Sequence, residues 1–238
     1  MNRTNRKHTK RAIILAIIIT IAIFPINSLA KAKEFLDMKG HWAETYVAAL
    51  VEKGGIAGMP DGLFHPSESM TFPQFVKIIV GNVYGDIEPI DSNWASGYMQ
   101  KAMEIGIITP EDIEKSEAIT RFEAVKIVHE ALRNIYNETD VEDAYVYVRK
   151  FEDYPSCKSC RGPFEGEIAQ CYIKGIITGK PGTVTYDDYG VEIERHQGPL
   201  FDGEAGLTRA EGSIIIMKMI DPALRTPPPP PSDDEDVT

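Results

Sequence analysis

The chain has 238 residues, of which 43% are hydrophobic and 26% are charged, a balance typical of a folded globular protein and not of a disordered one. Acidic residues outnumber basic ones by 36 to 25, so the formal net charge is −11. A surface this negative argues against nucleic acid as a partner, because binding to phosphates needs a basic surface that releases counterions.

The first 32 residues have the pattern of a secretory signal peptide. Five basic residues precede an apolar run from Ala12 to Phe24, and Ala30-Lys31-Ala32 provides small residues at the spacing of a cleavage site. The apolar run is short for a membrane-spanning helix. We expect cleavage after Ala32 or Ala30, with an uncleaved N-terminal anchor as the alternative. Cleavage after Ala32 leaves 19 basic against 36 acidic residues, a net charge of −17.

Three short patterns recur in the same order, which indicates an internal repeat. Each unit opens with an aromatic residue, any residue, Asp and an apolar or aromatic residue, starting at Phe35, Tyr84 and Phe151. A glycine-containing turn follows at 53–58, 105–109 and 174–179, and a threonine segment closes each unit at Thr71, Thr120 and Thr208. The first two units are in register, because their opening aromatics and their threonines are both 49 residues apart.

The threonine segments predict three helix starts. In each, Thr is followed three residues later by Gln or Glu, the pattern of a capping box, and an apolar stretch comes next. The pairs are Thr71 with Gln74, Thr120 with Glu123, and Thr208 with Glu211. A further helix precedes each glycine turn, marked by residues four apart: Trp42, Tyr46 and Leu50; Trp94, Tyr98 and Ala102; and, with a one-residue uncertainty in register, Phe164, Ile168 and Tyr172. Units this small must pack on one another to bury their apolar faces.

These motifs resemble the S-layer homology domain family. The first unit carries nearly the whole family pattern from Phe35 to Thr71, and the third carries its most recognisable segment, Leu207-Thr208-Arg209-Ala210-Glu211. The likeness runs from Phe35 to about Asp221. It implies an all-α fold of three helix-loop-helix repeats, packed as a three-pronged pseudo-trimer with an irregular insertion in the third repeat. Short extended pieces are expected in that insertion, between Lys180 and Leu200.

The expected organisation has five parts. A signal peptide at 1–32 comes first, and a tail at 223–238 comes last. Between them lie the first repeat at 33–83, the second at 84–150 with a connecting segment, and the third at 151–222 with the insertion. The tail combines a stiff polyproline stretch with an acidic disordered end, which is typical of a spacer. The chain is then either an anchor alone or the truncated part of a larger protein.

The resemblance implies a secreted, non-catalytic anchor at the cell surface, with no cofactor. Its partner would be secondary cell-wall polysaccharide, typically with ketal-linked pyruvate, and other surface proteins are further candidates. Neither nucleic acid nor, after cleavage, a membrane is expected. In the family the ligand lies in grooves between prongs and contacts the Arg of the Thr-Arg-Ala-Glu run, a Trp and a Gly. The matching residues here are Arg121, Arg209, Trp42, Trp94, Gly58 and Gly179.

Elementary chemistry agrees with these roles but also allows others. An arginine fork beside free amides at a helix start suits a carboxylate, and an indole face suits a sugar ring. On the residues alone, Arg121 and Arg209 could equally make surface ion pairs, and Trp42 and Trp94 could belong to the core. A protein-interaction scaffold that has lost the sugar site is the alternative function.

Each unit departs from the family pattern. Phe72 stands where the other copies have arginine, so one groove is expected to be weakened or lost. Acidic residues replace the Asp-Gly loop in Pro110–Lys115, close to another proposed anion site. In the third unit, 22 residues separate Gly179 from Phe201, against 6 in the corresponding segment of the first.

The three cysteines lie in this altered third unit. Cys157, Cys160 and Cys171 leave three alternatives open: a structural disulfide with one spare thiol, a weak metal site with His196 as a further ligand, or unpaired thiols. The sequence lacks a glycine-rich phosphate loop, a Gly-x-Ser-x-Gly elbow and a His-Glu-x-x-His motif, so we predict no catalysis. The aspartates of the opening motifs, Asp37, Asp86 and Asp153, are expected to cap or turn the chain before each first helix.

Overall fold

The computed structural model describes residues 34–153, 164–182, 184–186, 189, 192–195 and 198–229. This part of the chain is helical, which confirms the predicted all-α class. Its α-helices are α1 (Glu44–Glu52), α2 (Phe72–Tyr84), α3 (Ser96–Glu104), α4 (Arg121–Asn134), α5 (Glu165–Ile173) and α6 (Arg209–Ile220). Short 3-10 helices cover Leu36–Met38, Pro110–Asp112, Ala144–Lys150 and Pro222–Leu224. Among the described residues, no helix is both long and apolar enough to span a membrane.

The insertion of the third unit holds one antiparallel strand pair. Strand β1 (Val184–Tyr186) pairs with β2 (Glu192–Arg195). Two hydrogen bonds between Lys180 and Leu200, of 2.8 and 2.9 Å, close the insertion at its base. The chain thus leaves and re-enters the helical body at one point.

All three predicted capping boxes form, and they start α2, α4 and α6. The amide of the third helical residue donates to the threonine Oγ1 at 3.4, 3.2 and 3.2 Å for Thr71, Thr120 and Thr208. The Gln or Glu side chain accepts from the threonine amide at 3.0, 2.9 and 2.9 Å. Each box satisfies two amides that a helix start would otherwise leave unpaired.

The residues just before the three threonines are joined by a closed triangle of backbone hydrogen bonds. Met70 N–H donates to Leu207 O, Leu207 N–H to Ile119 O, and Ile119 N–H to Met70 O, at 2.9 to 3.0 Å. All three side chains are fully buried. The three capping-box helices therefore begin side by side in the middle of the core.

The helices pair across the sequence units. Helix α2 packs on α3, α4 on α5, and α6 on α1. The expectation was that each unit would form its own prong; instead, the first helix of each unit lies on the closing helix of the unit before it, and α1 completes the ring against α6. This pairing is geometrically simple, because a capping-box helix and the next helix along the chain can fold back on each other as an antiparallel hairpin.

Candidate ligand groove

Arg121 and Arg209 hold equivalent positions in the first turn of α4 and α6. Both are buried, with 5% and 4% of their surface exposed. Arg121 donates from Nε to Phe201 O at 2.7 Å and from Nη2 to Thr178 O at 3.1 Å. Arg209 donates from Nε to Phe64 O at 2.8 Å and from Nη2 to Ala57 O at 3.2 Å. Each arginine therefore clamps the glycine turn and the loop of another unit.

Each clamp also stacks on an aromatic ring. The guanidinium carbon lies 5.3 Å from the Phe201 centroid for Arg121 and 4.7 Å from the Phe64 centroid for Arg209. Burial lowers the pKa of both arginines. The alternative of surface ion pairs is therefore ruled out, since both side chains are buried and use two nitrogens to hold backbone carbonyls.

The loop that each arginine clamps is held from its other side by an aspartate. Asp37 accepts from the amides of Phe64 and His65 at 3.0 and 2.6 Å. Asp153 accepts from the amides of Phe201 and Asp202 at 2.7 and 2.6 Å. These partners lie 27 to 49 residues away, so the two aspartates organise distant loops rather than the local turns expected from the sequence.

The glycines expected to contact ligand have a packing reason to be glycine. A Cβ on Gly58 would lie 2.2 Å from a ring carbon of Phe35, and one on Gly179 would lie 2.9 Å from a ring carbon of Phe151 and 2.4 Å from Pro199 Cβ. The opening aromatic of each of these units therefore rests directly on the glycine backbone. The second unit has Pro110 at this position.

Both tryptophans are on the surface. Trp42 is 64% exposed just before α1, and Trp94 is 49% exposed just before α3. Trp42 stacks beside His41 with ring centroids 5.3 Å apart, and Lys77 Nζ lies 5.8 Å from the centroid of Trp94. The alternative of core tryptophans is thus excluded, and each indole has a face available to solvent.

Three of the six predicted site residues meet in one cleft with a volume of about 190 Å³. Trp42 comes from the first unit, Arg121 from the second and Gly179 from the third. The rest of the lining is the segment Ile176–Pro181 and one face of α6: Glu211, Ile214, Ile215 and Lys218. We call this the α6 cleft. The other three predicted residues lie elsewhere: Arg209 bonds to Ala57, next to Gly58, while Trp94 approaches Lys77 of α2.

Lys218 is a cleft residue that the motifs did not single out. It is only 7% exposed, and its Nζ donates to Thr226 Oγ1 at 3.0 Å. Burial lowers its pKa, and it has no carboxylate partner among the described residues. By contrast, Lys180 on the cleft wall pairs with Asp202 at 2.8 Å. The sequence did indicate an unusual residue here, because Lys218 lies inside the apolar run Ile214–Ile220. Burial of a charged side chain there lowers stability unless a partner or a ligand compensates for it.

Cys171 is a core residue. It is fully buried on α5, its thiol lies 3.6 Å from Val125 O, and burial raises its pKa. It stands four residues before its turn glycine, as Leu50 and Ala102 do, and all three are fully buried. Cys157, Cys160 and His196 lie outside the described residues. Within the described ranges no three His, Cys, Asp or Glu side chains are grouped as a metal site would need.

Comparison with known proteins gives a family match at the start of the described region. Residues 34–76 match the S-layer homology domain. The chain is 34% identical to the S-layer protein of Bacillus licheniformis over 88 residues, which is 33% of this chain and 10% of that protein. It is 23% identical to exoglucanase XynX of Acetivibrio thermocellus over 209 residues, 83% of this chain and 17% of the enzyme.

A third relative is a cellulosome-anchoring protein of Acetivibrio thermocellus, 44% identical over 43 residues, which is 18% of this chain and 10% of that protein. The chain thus spans between 10% and 17% of the length of these three relatives. The matched segment 34–76 contains Ala57 and Phe64, whose carbonyls accept from Arg209, together with Asp37, Gly58 and the Thr71 capping box. At residues 34–76 the chain is thus similar to the S-layer homology domain.

Proposed function

We propose that this chain is a non-catalytic anchor that holds a protein at the cell wall by binding secondary cell-wall polysaccharide, in particular its pyruvylated form. The match of residues 34–76 to the S-layer homology domain supports wall anchoring, as do relatives that include an S-layer protein and a cellulosome-anchoring protein. On this proposal, residues 1–32 are a signal peptide, the mature chain is at the cell surface, and residues 223–238 are a spacer.

We infer further that the S-layer homology unit recurs at 84–150 and 151–222, forming a three-pronged pseudo-trimer. Three features support this inference. The three capping boxes start equivalent helices, the triangle through Met70, Ile119 and Leu207 relates them in a cycle, and Arg121 repeats each bond of Arg209.

The observation that carries the binding proposal is the composition of the α6 cleft. An exposed indole at Trp42 offers a flat face for a sugar ring. Arg121 and Lys218 are two cations on the cleft wall. Burial lowers the pKa of both, and among the described residues neither forms an ion pair with a carboxylate. A ligand carboxylate would offset the cost of burying them, and charge-assisted hydrogen bonds contribute roughly 1.5–3 kcal/mol each.

Retention on purified sacculi tests the proposal. Sacculi that carry the pyruvylated polymer should retain the protein, and sacculi from which the pyruvyl groups have been removed should retain much less. Equal retention on both would contradict pyruvate recognition and favour the protein-interaction scaffold. That scaffold is the second candidate function, and the replacement of a clamp arginine by Phe72 favours it.

A further inference from the structure

The second unit builds the clamp differently from the other two. The amide of Phe72 donates to Glu117 O at 2.8 Å, as the amide of Arg121 does to Ala205 O at 3.0 Å and that of Arg209 to Glu68 O at 2.8 Å. This shared bond shows that Phe72, Arg121 and Arg209 hold equivalent positions and that Phe72 faces the second unit's own loop. The two departures noted in the sequence, Phe72 and the acidic loop Pro110–Lys115, therefore meet at one place.

A lysine from the loop takes the position beside the aromatic ring. Lys115 Nζ lies 5.0 Å from the Phe72 centroid, so a cation sits against a phenyl ring as in the other two clamps. The order is reversed, because here the capping-box helix supplies the ring and the loop supplies the charge. Lys115 Nζ pairs with two carboxylates, those of Asp112 at 2.9 Å and Glu123 at 2.5 Å.

Asp112 is the centre of this cluster. It is 6% exposed, and its carboxylate accepts from Thr109 N at 3.0 Å and from Thr109 Oγ1 at 2.9 Å. Lys126 Nζ lies 3.5 Å from the same carboxylate. Burial alone would raise the pKa of Asp112, but the hydrogen bonds from Thr109 and Lys115 and the charge of Lys126 lower it to about 2. Asp112 is therefore an anion at any physiological pH.

The groups around this carboxylate correspond to the walls of the α6 cleft. Thr109 lies three residues after the positive-φ Gly106, as Thr178 does after Gly175. Glu123 and Lys126 hold the same positions after the capping threonine as Glu211 and Ile214. Thr178, Glu211 and Ile214 all line the α6 cleft. The Asp112 carboxylate thus sits where the matching part of the third unit is open.

We propose that Thr109, Lys115 and Lys126 form a carboxylate-binding site that the chain fills with its own Asp112. A tethered carboxylate competes at a high effective concentration, so a free ligand carboxylate does not displace it. The second unit is consequently closed to anionic ligand, while the α6 cleft stays open. The identity of the excluded ligand rests on the proposed function, whereas the self-filled site does not.

Chemical rescue with acetate tests the site without any wall polymer. Asp112→Ala removes the carboxylate and leaves room for one, so acetate should raise the melting temperature of this variant by roughly 2–4 °C above the value in chloride at equal ionic strength, once it exceeds its dissociation constant severalfold. The parent and Glu114→Gln both keep Asp112, and Glu114→Gln is the matched control because it removes an exposed carboxylate two residues further along the same loop. Acetate binding at the α6 cleft is common to all three proteins, so the rescue is the part of the Asp112→Ala rise that exceeds the rise of the parent and the control.

If Asp112→Ala does not fold, Asp112→Ser gives the same comparison, because serine retains a hydroxyl that can accept from the Thr109 amide. An acetate response of the folded variant no larger than that of the parent would overturn the proposal. A second titration uses a pyruvylated polymer fragment and counts bound fragments. One more fragment bound by Asp112→Ala than by the parent supports the closure of this groove, and an unchanged number with acetate rescue overturns the closure. Rescue without fragment binding by parent or variant supports the self-filled site and contradicts the proposed function.

Discussion

Lys218 is a buried charge inside an otherwise apolar run of α6. Its ammonium group bonds only to Thr226 among the described residues, and the cleft it lines also contains Arg121 and Trp42. A lone buried lysine is destabilising unless something compensates for the loss of water. Recognition of an anionic ligand is a physical reason to keep it.

Lys218→Met should therefore separate binding from stability. Methionine keeps the aliphatic length and removes the desolvation cost, so the free energy of unfolding should stay constant or rise by about 1 kcal/mol. Affinity for the pyruvylated polymer should fall about tenfold, which corresponds to about 1.4 kcal/mol. Urea unfolding and calorimetric titration measure the two quantities. Lys53→Met, an exposed lysine after α1, is the control and should change neither. Unchanged affinity in Lys218→Met would remove this lysine from the site.

Unlike Lys218, the two clamp arginines should contribute strongly to the stability of the fold. Arg121→Ala and Arg209→Ala each leave two backbone carbonyls without their donor and remove a stacked group, so each should lower the free energy of unfolding by about 2–4 kcal/mol. Thr208→Ala, which removes one cap, should cost only about 1 kcal/mol. Urea denaturation ranks the three variants. Arginine variants no less stable than Thr208→Ala would show that the clamps are not structural.

At the scale of the elements, the sequence predicted what depends on residues three or four apart. The capping boxes at Thr71, Thr120 and Thr208 are local hydrogen bonds, and all three are present. The pairing of α1 with α6 could not be predicted in this way, because it joins the two ends of the described helices. The same holds for Asp37, whose partners lie 27 and 28 residues away.

In the candidate site, too, local motif positions were predictable from the sequence, and contacts between distant segments were not. The exposed tryptophans and the glycines were recognisable as motif positions, but the burial of the arginines depends on loops from other units. The sequence also did not reveal that Phe72 and the acidic loop meet, since that requires knowing which loop each helix start faces. The apolar neighbours of Lys218 in the sequence marked this lysine as unusual, but they did not indicate which residues it would lie beside.

Equivalent motif aspartates should differ in their effect on stability. Asp37→Ala removes the acceptor for two loop amides and loosens the Phe64 loop that Arg209 clamps, so it should cost about 1–3 kcal/mol. Asp86→Ala is the matched control, because its carboxylate takes only a 3.4 Å bond from Tyr98 Oη among the described bonds, and it should cost less than half as much. Thermal unfolding of both variants provides the measurement. Equal losses would mean that the loop bonds of Asp37 contribute nothing specific.

For the whole molecule, the closed triangle and the ring of helix pairs make the three units interdependent. Stability should therefore respond to acid as one cooperative transition, with carboxylates such as Asp37 and Asp112 losing their favourable bonds. Both have pKa values lowered in the folded state. Their contribution is present above the ordinary carboxyl pKa near 4 and is lost as pH falls through the folded-state pKa.

Asp112 gives this acid dependence a definite window. With a folded pKa of about 2 against an ordinary value of 3.8, it should contribute about 2 kcal/mol above pH 4, and that contribution should disappear between pH 4 and 2. Asp112→Asn should be less stable at pH 6 and should lose less stability on acidification than the parent. Urea midpoints measured at intervals from pH 6 to 2 test this. Parallel curves for parent and variant would contradict the low pKa of Asp112.

The α6 cleft is the surface proposed to bind the anionic wall polymer. An NMR titration of isotopically labelled protein with a pyruvylated polymer fragment tests it most directly, with the same fragment lacking pyruvate as the control. With the pyruvylated fragment, signals should shift for the amides of Ile176–Pro181, the indole N–H of Trp42 and the end of α6 at Lys218. The signals of Thr109 and Lys115 should not shift. Shifts confined to other surfaces, or equal shifts with both fragments, would contradict it.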